Sequence, residues 1–314
     1  IGYTRNDITH WSELVARVLS AAGVTEHDFV QIAFDYNMFT GGFGLHYGAE
    51  KIGASVIPSS QSGNVQRQMH IMKDYKTTVL LSAPSYALRM AANLREMGIH
   101  PDELNLKIGI FGAEAWGEPT RSKIEERLHL DAFNIYGVNE MMGPGVSGEC
   151  SEKKGLHINE DHYIIEIVDP ATGNPLPHGE EGELVITTIT REGFPLIRYR
   201  TGDMSSIMEG TCACGRTTLR MNRVSARSDD MVAVNGINVF PGQVCEVLKK
   251  ETGFEPRFQI IIDEFEGGDS LEVRIEMIEN MFGDEIKKIL GLKTGIAAAL
   301  EREIGVTEIG RAHV

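Results

Sequence analysis

The sequence has 314 residues, of which 42% are hydrophobic and 24% are charged, so it is long enough for one large folded domain and a smaller one. Its net charge of -15 disfavours nucleic acid and anionic membrane surfaces as partners. No apolar run is long enough to span a bilayer, and the first residues lack the charged start and apolar centre of a signal peptide. We therefore expect a cytoplasmic enzyme.

Helical and strand-like patterns alternate through the N-terminal part of the chain. Apolar residues recur at helical spacing in segments 6–22, 41–53, 64–75, 85–97 and 118–128. Short strands are predicted between these helices, at 29–34, 55–58, 77–82, 106–111 and 132–136. This alternation predicts βαβ units and a parallel sheet flanked by helices, which together make an α/β fold.

The sequence after Pro144 is rich in strand-like segments that are separated by turns. Segments 163–168, 182–188 and 197–199 have strand-like patterns, and the turn-forming string DPATGNPLPHGEEGE lies among them. We therefore predict a β subdomain over about residues 145–226.

A second change of pattern falls near residues 227–231. The segments that follow are typical of a small α+β unit. We predict a large domain over residues 1–226 and a small, mobile C-terminal domain over 227–308. Residues 309–314 read IGRAHV, which a common sequencing adapter encodes, and we interpret them as an artefact.

Three loops with functional side chains follow predicted strands. They are residues 112–116 (GAEAW), 136–140 (YGVNE) and 199–203 (YRTGD). Ligands of open parallel sheets bind beyond the carboxyl ends of the strands. Small residues in these loops let a planar ring approach the backbone, and the aromatic and carboxylate groups offer contacts to a ligand. Each loop by itself also fits ordinary turn chemistry.

Five longer strings resemble, in order, the phenylacetate-CoA ligase branch of the adenylate-forming superfamily. The strings are FTGGFGLHYGAEKIGASVIP (39–58), FGAEAW (111–116), IYGVNEMMGPGV (135–146), RYRTGD (198–203) and RSDDMVAVNGINVFP (227–241). The resemblance spans nearly the whole chain. It implies the adenylate-forming enzyme fold. It also implies a reaction in which ATP and Mg²⁺ activate an aryl acid and the acyl group is then transferred to coenzyme A.

The resemblance also implies a nucleotide site and a metal ligand. The nucleotide-binding residues would be Gly112, Ala113, Glu114, Asn134, Tyr136, Gly137, Asn139, Asp203 and Arg223. Tyr136 would stack on adenine, Asp203 would accept hydrogen bonds from both ribose hydroxyls, and Glu140 would hold Mg²⁺ as a catalytic residue. Read without the resemblance, Glu140 fits a helix cap, Asp203 a turn and Arg223 a solvated surface charge.

The acyl and coenzyme A sites follow from the same resemblance. It implies an acyl pocket lined by Tyr36, Phe39, Ala113, Ile135 and Pro144, an apolar wall that suits an uncharged ring. Such residues are also common in a hydrophobic core.

Two further positions would serve the change between the two half-reactions. The resemblance places a catalytic hinge at Asp229 and a coenzyme A contact at Gly236. The sequence leaves open which aryl acid is the substrate, phenylacetate, indoleacetate or another, and whether the protein forms a homodimer.

Three of the four cysteines lie close in sequence to a histidine or to each other. A cytosolic protein seldom keeps structural disulfides, so clustered cysteines and histidines are more naturally read as metal ligands. A closed tetrahedral Cys₃His site for structural zinc would then consist of Cys150, His157, Cys212 and Cys214. The alternative is reduced cysteines without metal. Cys245 stands alone.

The family's Ser/Thr/Gly-rich phosphate loop and C-terminal lysine are not found in this sequence. We therefore expect the polypeptide as given to be a fragment that does not adenylate efficiently, which an ATP-dependent pyrophosphate-release assay tests. Two other functions stay open. One is a deazaflavin-cofactor adenylyltransferase of the same superfamily, and the other is a nonenzymatic nucleotide-binding module.

Overall fold

The structure is a computed structural model that describes residues 1–37, 40–60, 65–228, 232–234, 237–254, 256–265, 268–276 and 286–305. The chain divides into two compact units, Ile1–Ser228 and Asp229–Val314. Each unit has its own hydrophobic core. The boundary predicted from the sequence falls after residue 226, two residues earlier.

Helices and strands alternate in the first part of unit 1, as the sequence pattern predicts. The elements are α1 (Arg5–Ala21), β1 (Phe29–Ile32), α2 (Thr40–Ile52), β2 (Ser55–Ile57), α3 (Val65–Asp74), β3 (Val79–Ser82), α4 (Pro84–Glu96), β4 (Ile108–Phe111), α5 (Glu118–Leu128) and β5 (Asp131–Val138). Strands β1 to β5 pair in parallel in the order β2-β1-β3-β4-β5. The parallel sheet and the α/β class are therefore confirmed.

Helix α1 begins one residue earlier than the apolar pattern predicts, because a capping box fixes its start. The backbone N–H of Asp7 donates to Thr4 Oγ1 over 3.0 Å. In return, the N–H of Thr4 donates to Asp7 Oδ2 over 2.8 Å. These reciprocal bonds satisfy two backbone donors that the first turn of a helix leaves unpaired.

The rest of unit 1 consists mainly of strands. They are β6 (Gly143–Glu149), β7 (Leu156–Ile158), β8 (Tyr163–Val168), β9 (Gly182–Thr188), β10 (Tyr199–Ser205), β11 (Ile207–Met208), β12 (Arg220–Met221) and β13 (Ala226–Arg227). Strand β6 pairs antiparallel with β5, and β7, β12 and β11 follow it, so the sheet reaches nine strands. Strands β8, β9, β10 and β13 form a separate antiparallel sheet. The segment expected to be a β subdomain thus contributes to both sheets.

The strand predicted at 197–199 overlaps an observed strand only at its last residue. Strand β10 begins at Tyr199, and Ile197 is 81% exposed. Arg198 adopts a φ of 48°, which lies in the left-handed region and interrupts an extended chain. The apolar Ile197 therefore lies in a turn at the surface.

Unit 2 is a small α+β unit. Its elements are β14 (Val232–Val234), β15 (Ile237–Val239), α6 (Pro241–Thr252), β16 (Phe258–Phe265), β17 (Gly268–Ile275) and α7 (Ile286–Ile304). The strands form two antiparallel hairpins, β14–β15 and β16–β17. Both helices supply core residues, such as Val244 and Leu248 from α6 and Leu300 from α7. Residues 309–314 and residue 64, where the helix predicted at 64–75 starts, lie outside the described residues.

No helix in the described ranges combines the length and the apolar character that crossing a membrane would require.

Candidate active site

The loop after β4 lies directly against strand β5. Phe111, the last residue of β4, is in register with Asn134 of β5. A Cβ atom on Gly112 would lie 2.6 Å from the carbonyl oxygen of Ile135 and 2.9 Å from its Cγ2. Glycine is needed here because the two backbones approach so closely. Four residues predicted from the resemblance, at positions 112, 113, 134 and 135, therefore lie side by side at the carboxyl end of β4.

Glu114 belongs to the loop after β4, and its carboxylate contacts the first turn of helix α4. Its Oε1 accepts a hydrogen bond from Ser85 Oγ over 2.7 Å, and its Oε2 accepts one from the Ser85 backbone N–H over 3.1 Å. The carboxylate therefore satisfies an unpaired N–H at the first turn of the helix. Ala113, next to it, adopts a φ of 70°, so the loop turns sharply between β4 and this contact.

A hydrogen-bond network joins Tyr136 of β5 to Asp203 of β10, which belong to different sheets. Tyr136 Oη donates to Asp203 Oδ2 over 2.6 Å. Arg227 Nη1 donates to the other oxygen, Oδ1, over 2.6 Å, and Arg227 Nη2 donates to the carbonyl of Thr201 over 3.0 Å. Burial, reinforced by the negative charge of Asp203, raises the pKa of Tyr136 well above its ordinary value. The phenol therefore stays protonated and acts as a donor.

The turn after β5 carries Asn139 and Glu140. Thr40 Oγ1, from α2, donates to Asn139 Oδ1 over 2.5 Å, and the side chain of Arg191 donates to the backbone carbonyl of Glu140. No cation among the described residues lies within ion-pair distance of the Glu140 carboxylate. The Arg191 contact thus fixes the backbone of Glu140 and does not neutralise its carboxylate. A carboxylate oxygen is the kind of ligand that Mg²⁺ requires.

Gly137 lies where β5 and β6 approach most closely. It pairs with Pro144 beside a register shift, and a Cβ atom there would lie 1.9 Å from the carbonyl oxygen of Gly143. We expect Gly137→Ala to lower the free energy of unfolding by about 1–3 kcal/mol, because one of the two backbones must move. Denaturant unfolding measures the loss. Gly242→Ala is the control, because its added methyl group would meet open space, and equal stability of the two variants would contradict the prediction.

Tyr36 and Pro144, two of the residues predicted to line the acyl pocket, lie along a row of aromatic rings. The centroid distances are 5.3 Å from Tyr36 to Phe43, 6.3 Å from Phe43 to Tyr47 and 6.4 Å from Tyr47 to Trp11. Trp11 Nε1 donates to the carbonyl of Pro144 over 2.9 Å. Tyr36 and Pro144 therefore lie at opposite ends of one aromatic row. Phe39 lies outside the described residues.

Arg223 stands apart from the Tyr136–Asp203 network. The side chain of Arg223 donates to the carboxylate of Glu118 at the start of α5, and this bond lowers the pKa of Glu118. Arg223 thus pairs with a protein carboxylate rather than with the Tyr136–Asp203 network. The predicted hinge Asp229 and the predicted coenzyme A contact Gly236 lie outside the described residues.

A buried ion pair lies behind the Asn134 backbone. Arg121 of α5 donates from Nη2 to both oxygens of Glu149, over 2.7 and 2.9 Å, and the Asn134 N–H donates to the same carboxylate over 2.8 Å. The two side chains are only 5% and 1% exposed. The pair fastens α5 to strands β5 and β6. Sequence patterns do not reveal it, because Arg121 and Glu149 lie in separate elements without any motif.

The four predicted zinc ligands come together in unit 1. Cys150 follows β6, His157 lies in β7, and Cys212 and Cys214 lie between β11 and β12. One potential ligand atom from each residue lies within 4.8 Å of all the others.

Two protein families match most of the chain. The AMP-binding enzyme family matches residues 7–190, and the AMP-binding enzyme C-terminal domain matches residues 236–311. A solved 2-hydroxyisobutyryl-CoA ligase in complex with 2-HIB-AMP and CoA superposes on 99% of this chain with a TM-score of 0.90 and 24% identity, and 67% of that ligase is covered. This likeness establishes the shared fold.

Curated relatives are more similar in sequence. The phenylacetate-coenzyme A ligase of Thermus thermophilus is 41% identical over 320 residues, which cover 98% of this chain and 72% of the relative. That of Escherichia coli K12 is 44% identical over 282 residues, which cover 89% of this chain and 64% of the relative. That of Aromatoleum evansii is 44% identical and is covered over 62% of its length. The chain therefore belongs to the AMP-binding enzyme family and, within it, to the phenylacetate-coenzyme A ligases, which are acid-thiol ligases.

Proposed function

We propose that the protein is an ATP-dependent aryl-acid CoA ligase and that phenylacetate is its acid. The carboxylate and ATP would give acyl-AMP and pyrophosphate, and coenzyme A would then displace AMP to give the thioester. The observation that carries the proposal is the 2.6 Å contact between Tyr136 and Asp203, with β5 directly beside the Gly112 loop. Residues predicted for one nucleotide site thus come from the consecutive strands β4 and β5 and from β10, which is distant from both in sequence.

The Tyr136–Asp203 network suits the ribose and the base of a nucleotide. A carboxylate has about four lone-pair positions, so Asp203 can accept from Tyr136, from Arg227 and from ribose hydroxyls together. The Tyr136 ring would stack on adenine. Because Gly112 and Ala113 are small, the base could approach the backbone of their loop closely. Asn134, Gly137 and Asn139 would complete this wall, and Arg223 would exchange Glu118 for the ribose or phosphates.

Glu140 would hold Mg²⁺, which when bound neutralises charge on the phosphate oxygens. We expect Glu140→Gln in the full-length protein to lower kcat by roughly 100-fold, equivalent to about 2.7 kcal/mol, and to raise the Mg²⁺ concentration needed for half-maximal activity. Steady-state assays across a Mg²⁺ series measure both effects. Glu192→Gln is the matched control, since the donors that Glu192 accepts from in the described part of the chain are the neutral groups of Thr4 and Asn6. An unchanged Mg²⁺ dependence in the Glu140 variant would contradict this assignment.

The acid would lie against the apolar residues near the aromatic row. Tyr36, Phe39, Ala113, Ile135 and Pro144 would offer an uncharged surface that suits an aryl ring, and the carboxylate would be directed toward the nucleotide.

Two further residues would serve the second half-reaction. Asp229 would act as the hinge, and Gly236 would contact coenzyme A after the domain movement. The proposed cofactors are ATP, Mg²⁺ and coenzyme A as co-substrate. A cytoplasmic location belongs to the same proposal.

The experiment is a substrate panel with the full-length protein. Phenylacetate, indoleacetate, benzoate and an aliphatic acid are each supplied with ATP, Mg²⁺ and coenzyme A, and AMP and thioester are both quantified. We expect equal amounts of AMP and aryl thioester, with phenylacetate giving the largest kcat/KM. Adenylyl transfer to a hydroxyl without any need for coenzyme A would favour the deazaflavin-cofactor alternative. Nucleotide binding without turnover of any acid would favour a nonenzymatic module.

A further inference from the structure

We propose that Cys150, His157, Cys212 and Cys214 bind one structural zinc ion, and that this ion fastens the loop between β11 and β12 to strand β7 and to the end of β6 in the nine-stranded sheet. The four residues come from three separate segments of unit 1. Their potential ligand atoms lie within 4.8 Å of one another. Three thiolates and one imidazole are the donor set of many structural zinc sites.

Two distances between donor atoms are close to those of a tetrahedron around zinc. With Zn–S of about 2.3 Å and Zn–N of about 2.0 Å, neighbouring donors lie roughly 3.5–3.8 Å apart. Cys150 Sγ and Cys212 Sγ are 3.7 Å apart, and Cys214 Sγ and His157 Nε2 are 3.4 Å apart. The sulfur pair is far longer than a disulfide bond of about 2.05 Å, and all three cysteines are free thiols.

The histidine is oriented for metal binding by its other ring nitrogen. His157 Nδ1 lies 3.1 Å from Thr218 Oγ1, so a hydrogen bond on that side leaves Nε2 directed at the thiols. A partner of this kind on the second nitrogen is the usual arrangement of metal-bound histidines. His157 is also fixed by its strand, because it pairs with Arg220 in the β7–β12 register.

The loop that carries Cys212 and Cys214 has little regular structure to hold it. It joins β11 and β12, which are two residues long each. Cys212 is 7% exposed, although the residues on either side of it are exposed. Four protein ligands would complete the coordination shell, so a bound zinc would have a structural rather than a catalytic role.

Metal analysis of the full-length protein tests the proposal. The protein is expressed in zinc-supplemented medium, purified without chelators and measured by elemental analysis. We expect one zinc per chain, together with a fall in the melting temperature when a strong chelator removes it. Zinc well below one equivalent in metal-replete protein would overturn the proposal.

Single substitutions separate these four ligands from adventitious binding. Cys150→Ser, Cys212→Ser and Cys214→Ser are each expected to lose most of the zinc, whereas Cys245→Ser, in α6, should keep it. His157→Cys preserves four donors and should retain the metal, while His157→Ala should lose it. Full zinc content in all three serine variants would overturn the assignment.

Cobalt gives a readout that a folding defect cannot imitate. Co²⁺ added to the metal-free protein should produce the strong visible bands of a tetrahedral thiolate site, and zinc should bleach them. The weak bands of an octahedral site would contradict the proposed ligands. The outcome is independent of the ligase proposal, because a protein without zinc could still form aryl thioesters.

Discussion

Glu149→Ala is expected to lower the free energy of unfolding by about 3–5 kcal/mol. The substitution removes the only carboxylate that accepts from Arg121 Nη2 among the described residues, and it leaves the guanidinium, whose side chain is 5% exposed, without that counter-ion. It also removes the acceptor of the Asn134 backbone N–H. Two buried donors are thereby left unsatisfied, each at a cost of about 1–3 kcal/mol or more.

Two comparisons isolate the cause of this loss. Arg17→Ala breaks an ion pair with Asp161 whose side chains are 40% and 54% exposed, so its cost should stay below about 1 kcal/mol. The double variant Arg121→Met with Glu149→Leu should recover part of the loss, because apolar groups replace both charges. Equal and small losses for Glu149→Ala and Arg17→Ala in denaturant unfolding would show that burial does not govern this pair.

Asp203→Asn in the full-length protein is expected to lower kcat/KM for ATP by about 100-fold or more. A hydrogen bond to a charged group contributes about 1.5–3 kcal/mol, and each 1.4 kcal/mol is a factor of ten. Losing the charge weakens the proposed bonds to both ribose hydroxyls and the contact with Arg227. Tyr136→Phe should have a smaller effect, since it removes the phenol but keeps the ring that would stack on adenine.

The control for Asp203 is a second carboxylate paired with arginine in the same unit. Asp161 pairs with Arg17 over 2.7 Å at the surface, and Asp161→Asn should leave the KM for ATP unchanged. Melting temperatures of both variants identify any loss of activity that is due to unfolding. A folded Asp203→Asn protein with normal ATP kinetics would remove Asp203 from the nucleotide site.

Local patterns predict the parallel half of the fold well, because each helix and strand there carries its own periodicity. Helix α5 has the predicted bounds, Glu118–Leu128. The β-rich part is less predictable, since sheet membership depends on pairing between distant segments. Nothing local in β6 indicates that it extends the parallel sheet through β5. The error at Ile197 has a similar origin, because an exposed apolar residue in a turn resembles one in a strand.

Side chains within motifs can be assigned to a common site from sequence, but their partners cannot. Tyr136 and Asp203 are both indicated by the resemblance, and the structure brings them into contact. Arg227 is the first residue of the string RSDDMVAVNGINVFP, yet only the β10–β13 register shows that it faces Asp203. The Arg191 contact with the Glu140 carbonyl has no sequence signal, because it joins a turn to a distant loop.

The proposed function requires these loops to form one cleft in which an aryl acid is joined to AMP. The most direct measurement is exchange of labelled pyrophosphate into ATP by the full-length protein with phenylacetate and without coenzyme A. We predict rapid exchange that depends on the acid and on Mg²⁺, and that falls at least about 100-fold in Asp203→Asn. Absence of acid-dependent exchange in a folded, metal-replete protein would contradict the proposed function.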